Sequence, residues 1–194
     1  MVRIILGITG ASGSIYGVRL LEKLTARAGC EVHLLLTPAG ERTLTLETGR
    51  KAGELKEMAH FSYSIQDIGA RLASGSYIIH AMVVAPCSIH TMSAIAAGLS
   101  SNLLLRAADV TLKERRRLIL MVRETPFHLG HLRTMAALTE MGAIVAPPIP
   151  GFYHEPQSVL DLVDGSVDRI LDLLGLPAED ARRWDPPGPP GESA

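Results

Sequence analysis

Along this chain, short unbroken apolar runs alternate with longer stretches in which apolar residues recur every three or four positions. The runs "VRIILGI" (2–8), "EVHLLLT" (31–37), "YIIHAMVVAP" (77–86), "RLILMV" (117–122) and "AIVAP" (143–147) are the pattern of strands buried on both faces. Between them the period predicts helices over 14–27, 38–49, 88–98, 102–115 and 128–142, with a last one over 158–174. Their ends are marked too. Ser12 or Ser14 is placed to cap the first, Pro38 and Gly49 bracket the second, Ser88 and Gly98 the third, and Gly142 closes the fifth. Residues 50–76 are mixed and polar, and no period dominates them. Strands alternating with helices predict an α/β fold: a doubly wound parallel sheet, flavodoxin/Rossmann-like, in three α/β/α layers. One domain is expected over 1–176. The segment 177–194 ends in the Pro/Gly-rich "DPPGPPGESA" and reads as disordered.

Ligands of such sheets bind outside the carboxyl ends of the strands. That puts four segments on one rim: Gly7–Ser14, Thr37–Gly40, Pro86–Thr91 and Arg123–His128. In "GITGASGSIYG", Gly7, Gly10 and Gly13 fall three apart, with Thr9, Ser12 and Ser14 among them. A glycine turn feeding a helix start offers backbone N–H groups to an anion. The plainer reading is a tight turn that lets helix and strand pack closely. The dinucleotide fingerprint GxGxxG is missing, and the second strand ends in Thr37 rather than the acid that would bind a ribose. No GK[ST] ending marks a nucleoside-triphosphate loop. The loop therefore suits a phosphate, but not NAD or ATP.

The other rim segments add hydroxyls and cations. Ser88 and Thr91 serve either as ligand-binding hydroxyls or as helix caps. Cys87 is a candidate nucleophile, against the plainer reading of a buried thiol at a strand end. Arg106 and Lys113, seven apart on one helix, share a face. Arg123 closes a buried strand, a costly place for a charge without an anion, and Glu124 follows it. Arg115, Arg116 and Arg117 read as a solvated helix end. His128 and His131 are spaced to share a metal, but no third ligand accompanies them, and no metal is expected.

Composition narrows the function classes. A formal charge of −1 and a pI near 6.7 argue against nucleic acid or an anionic membrane as the main partner. The chain is 47% hydrophobic with a mean hydropathy of +0.21, yet no run approaches the roughly 18 residues of a membrane span. Burial of apolar surface between subunits reconciles the two. The first residues do not read as a signal peptide. Two cysteines, Cys30 and Cys87, make neither a disulfide framework nor a CxxC pair, so a cytoplasmic location is expected.

Several of these segments coincide with one family. "GITGASGSIYGVRLLEKL", "APCSIHTMSAIAAG", "NLLLRAADVTLKERRRLILMVRETPFHLGHLRTM", "GAIVAPPIPGFYHEPQS" and "VDRIL" together resemble the flavin prenyltransferases, the UbiX-like family, in register from residue 2 to about 184. The resemblance implies a metal-independent prenyltransferase that joins a dimethylallyl group from dimethylallyl phosphate to reduced FMN. Its members build a fourth flavin ring, deliver prenylated FMN to a partner decarboxylase, and assemble as dodecamers. It is equally compatible with ubiquinone biosynthesis and with aromatic-acid breakdown, and with mono- or diphosphate esters. By motif, FMN falls to Gly10, Ala11, Ser12, Thr37, Ser88, Ile89, His90, Thr91 and Arg123. Prenyl phosphate falls to Arg106, Lys113, Arg123, Glu124, Tyr153 and Arg169, partly from a neighbouring subunit. Glu124 is implied as acid/base, Ser12 beside the reacting flavin nitrogen, and Lys113 as a catalytic cation. Thr37 stands where Ser is common, and His90 where some members carry Lys and others Gly. One rival is a cysteine decarboxylase-like flavoprotein, but its PASANT-like motif is replaced by "PCSIHT". The other is a non-catalytic FMN-binding protein, which would not require Glu124, Lys113 and Tyr153.

Overall fold

A computed structural model describes residues 1–153 and 155–178. In chain order the elements are β1 Val2–Ile8, α1 Ser14–Thr25, β2 Cys30–Leu36, α2 Pro38–Thr48, α3 Ala52–Met58, β3 Phe61–Ser62, a 3-10 turn at Arg71–Ala73, β4 Ala81–Cys87, α4 Ile89–Ala96, α5 Leu103–Lys113, β5 Arg117–Val122, α6 Leu129–Glu140, β6 Ile144–Val145 and α7 Val159–Leu174. The six strands form one sheet in the order β3-β2-β1-β4-β5-β6. Every pairing is parallel. The chain moves outward from β1 to β3, then crosses to β4 and moves the other way. The strand order therefore reverses between β1 and β4, where such sheets open a crevice. Two compact units divide at Pro148. The first holds the sheet and α1–α6; the second holds α7. The expected disorder of the tail falls outside the described residues from 179 onward.

Side chains alternate across the pleat, so one strand serves two cores. On one face Ile5, Met82, Val84, Leu118 and Leu120 pack with Leu104, Ala107 and Ala108 of α5 and Met92 of α4. On the other, Ile8 lies against α1 at Gly17, where an added Cβ would run into the Ala85 carbonyl and lie 2.9 Å from the Ile8 side chain. That glycine lets α1 sit on the ends of β1 and β4.

Two sequence expectations change. The third long strand begins at Ala81, not Tyr77, because 77–80 is held otherwise: Arg116 takes the Tyr77 carbonyl, and the His80 ring accepts the Arg3 amide. The undecided stretch 50–76 contains α3, β3 and the 3-10 turn. Its two-residue strand is exposed, yet it is pinned by His33, which is fully buried. The ring stacks on Phe61 and Tyr63, donates from Nε2 to Glu31 (3.0 Å) and accepts the Tyr63 hydroxyl at Nδ1 (2.8 Å). No described helix is long and apolar enough to cross a membrane.

Candidate active site

The carboxyl rim is tied together by short contacts rather than by long side chains. Thr9, buried at the end of β1, donates its hydroxyl to the Pro86 carbonyl and accepts the Ser88 amide, each at 2.8 Å. This clasps β1 to the start of α4 across the switch point. Gly10 abuts the start of α2, since a Cβ there would come within 2.5 Å of the Ala39 Cβ. Gly40 meets the Ile8 carbonyl at the same distance. The Arg123 amide donates to the Cys87 carbonyl (3.1 Å), closing β5 against β4. Burial pushes the Tyr16 hydroxyl pKa up while the Arg123 guanidinium pulls it back, so Arg123 also faces α1. Gly10–Ser12, Thr37, Ser88–Thr91, Arg123 and Glu124 thus share one end of the sheet.

The start of α1 differs from expectation. Neither Ser12 nor Ser14 caps it: the cap residue is Gly13, in the left-handed region at φ 98°. The capping group comes from α2. The Glu47 carboxylate accepts the amides of Gly13 and Ser14, both at 2.9 Å, and lies beside the Ser12 hydroxyl. Partial burial pushes the Glu47 carboxyl up, but these bonds outweigh it and hold it below the ordinary carboxylate range. The loop is an anion cradle, as its glycines imply, and the anion seated at its helical end belongs to the protein. Nothing in "TLTLETG" announces this, because the partner lies 33 residues away.

The remaining rim hydroxyls cap helices and keep capacity to spare. Thr37 accepts the Gly40 amide (3.0 Å), and Ser88 accepts that of Thr91 (3.2 Å). Ser88 and Thr91 also share a hydroxyl contact of 3.1 Å. Each hydroxyl has one donor and two acceptor positions, so capping does not exhaust it. Ile89 and His90 form the first turn of α4, with His90 exposed. Cys87 is buried and its thiol is pushed up by that burial, which makes it a packing residue and no nucleophile. Arg123 follows the last residue of β5 and is exposed, so burial cost is not what demands an anion beside it. Glu124 accepts the Thr125 amide at 2.9 Å. His128 caps α6 through Nδ1, with the His131 ring 3.6 Å away; no cluster of three metal-binding side chains exists among the described residues.

Two cations expected at the phosphate lie elsewhere on the first unit. Arg106 sits in the first half of α5 and donates to the Ala73 carbonyl. Lys113 ends α5 just before β5 begins at Arg117, and Glu124 follows the end of that strand. At about 3.3 Å per residue, β5 separates them by on the order of 20 Å. Within one chain, then, Lys113 and Glu124 stand at opposite ends of the sheet. In the second unit, Tyr153 is exposed, and Arg169 projects from α7 toward Asp172 at 3.8 Å.

The cradle, the hydroxyl-bearing helix starts and the lack of a ribose-binding acid fit a flavin mononucleotide, which has one phosphate and no adenosine. Residues 1–170 match the flavoprotein family. A flavin prenyltransferase UbiX of Thauera aromatica is 49% identical over 182 residues, covering 94% of this chain and 93% of that one. The chain belongs to the flavin prenyltransferase family. Among solved structures, a dodecameric FMN-dependent UbiX-like decarboxylase of Escherichia coli O157:H7 superposes with a TM-score of 0.93 at 42% identity, covering 95% of this chain and all of that one. AnUbiX (PadA1), solved with FMN and dimethylallyl pyrophosphate, gives 0.92 at 40% identity, covering 95% and 98%.

Proposed function

We propose that this chain is a flavin prenyltransferase that joins a dimethylallyl group from dimethylallyl phosphate to reduced FMN. Prenylated FMN then passes to a partner decarboxylase. The observation that supports this best is the clasped rim, where hydroxyls and Arg123 converge at a switch point with no acid for a second nucleotide. Gly10, Ala11, Ser12, Thr37, Ser88, Ile89, His90, Thr91 and Arg123 hold FMN. Reduced FMN supplies the electron-rich ring that accepts the prenyl group. Ser12 lies beside the Glu47 carboxylate, which is available to accept its hydroxyl at the glycine loop.

Prenyl phosphate is held by Arg106, Lys113, Arg123, Tyr153 and Arg169. Charge grows on the phosphate oxygens as the ester bond breaks, and fixed cations stabilise it without a metal. Glu124 exchanges the proton that phosphate gains or the ring carbon loses. Because Lys113 and Glu124 of one chain lie at opposite ends of the sheet, both reach one phosphate only when a neighbouring copy supplies one of them. This favours a homo-oligomer, a dodecamer as in the similar structure from E. coli O157:H7. Exposed Ile68, Ile78, Phe127, Leu129 and Leu132 supply apolar surface for such contacts. Two buried free cysteines suit the cytoplasm.

Mass spectrometry of the flavin released after incubation with reduced FMN and dimethylallyl phosphate tests the proposal. The expected flavin carries one prenyl unit. Recovery of unmodified FMN alone refutes it.

A further inference from the structure

Helix α5 from Arg106 onward and the residues after it carry a compact set of charges. Arg106 pairs with Asp109 at 2.6 Å and holds the Ala73 carbonyl through Nε at 3.3 Å. Lys113 pairs with Glu114 Oε1, and the other Glu114 oxygen lies 3.9 Å from Arg116. The Arg116 side chain, only 16% exposed, donates to the carbonyls of Gly75 (2.6 Å) and Tyr77 (3.1 Å). Gly75 is closed from the other side. A Cβ there would run into the Glu114 carboxylate and lie 2.9 Å from Lys113 Nζ. Segment 73–77 and α5 are thus locked together, and Lys113 and Glu114 are fixed against it. The Lys113 hydrogen bond holds the Glu114 carboxyl below its ordinary range, so it stays ionised at working pH. Within these ion pairs three cations stand against two carboxylates, and Arg115 and Arg117 beside them add further positive charge.

We infer that Asp109 and Glu114 are specificity-determining residues that lower this clamp's preference for a prenyl diphosphate over the monophosphate. The inference rests on the reading that Arg106 and Lys113 hold the ester. Cations alone would favour the more highly charged ligand. Each carboxylate repels an ester in proportion to the ester's charge, and a diphosphate bears about one negative charge more than a monophosphate. Removing one carboxylate charge therefore strengthens binding of both esters, and of the diphosphate more. At about 6 Å and an effective dielectric constant between about 40 and 80, one additional charge is worth about 3- to 10-fold in affinity.

The test is titration of the protein loaded with oxidised FMN, which accepts no prenyl group, with dimethylallyl phosphate and with dimethylallyl diphosphate. Wild type is compared with Glu114→Gln, Asp109→Asn and, as a control for net charge, Glu57→Gln on α3. The ratio of the two dissociation constants on one preparation does not depend on how much protein is folded. The expected result is a shift of that ratio toward diphosphate by about 3- to 10-fold in Glu114→Gln and Asp109→Asn, with none in Glu57→Gln. An unchanged ratio in both variants overturns the inference, as does an equal shift in Glu57→Gln. If wild type binds neither ester, the phosphate-site reading itself fails.

Discussion

A carboxylate is a poor neighbour for a phosphate ester, and the proposed function puts Glu124 beside one. Mere binding would be served better by Gln, so its presence argues for proton transfer. Glu124→Gln should leave FMN binding intact and lower single-turnover formation of prenylated flavin by roughly 100-fold or more at saturating ester. Near-normal turnover would show that Glu124 only shapes the rim. Glu47 makes a second case at this scale. It caps α1 from another helix, so Glu47→Ala should cost about 0.5–1 kcal/mol in urea unfolding, the low end for a cap because the carboxylate faces solvent. The sign with pH follows from its lowered pKa. The folded state binds its proton less readily than the unfolded chain. The stabilisation is complete above the ordinary carboxylate value and fades as pH falls through the folded one. The gap between wild type and Glu47→Ala should therefore be widest above the ordinary carboxylate range and narrow progressively as pH falls below it. A gap that does not narrow as pH falls would mean that the lost side chain mattered through packing, not charge.

Helix α1 illustrates what an element owes to close approach. Gly17 reads in the sequence as a weak point in a helix, worth about 1 kcal/mol against Ala in an exposed position. In the fold it is where α1 meets the Ala85 carbonyl and Ile8. Gly17→Ala should therefore destabilise, by about 1–3 kcal/mol, although Ala is the better helix former. A rise in the urea midpoint would refute the packing argument. The same contrast shows which parts of the fold were legible. The long strands and amphipathic helices carry their period locally, and β1 and β5 begin and end where the pattern says. The short β3 carries none, because His33 reaches it from β2. The rim followed from strand ends, since topology alone places Thr37, Ser88 and Arg123 there. Glu47 and the Thr9 clasp were illegible as partners, because both act across the fold on residues far away in sequence. Position on a shared helix face linked Arg106 to Lys113, but could not reveal that β5 sets Lys113 and Glu124 at opposite ends of the sheet.

At the scale of the whole molecule, that separation makes a sharp demand. If Lys113 and Glu124 act on the same phosphate, they come from different copies of the chain. Lys113→Ala and Glu124→Gln should each be nearly inactive as uniform assemblies. Co-expressed with different affinity tags and purified through both, they form mixed assemblies. With random placement at equal amounts, about one site in four then receives a native Lys113 from one copy and a native Glu124 from another. Activity per flavin should rise to about a quarter of wild type. Were both residues drawn from one chain, every site would carry one lesion or the other, and mixing would give no more than the average of the two parents. The measurement is prenylated FMN formed per bound flavin in the doubly purified assembly. Activity at the parental average, in an assembly shown by mass spectrometry to contain both variants, would place the complete phosphate site within a single chain. The long separation along β5 would then have to be bridged by movement of the chain itself.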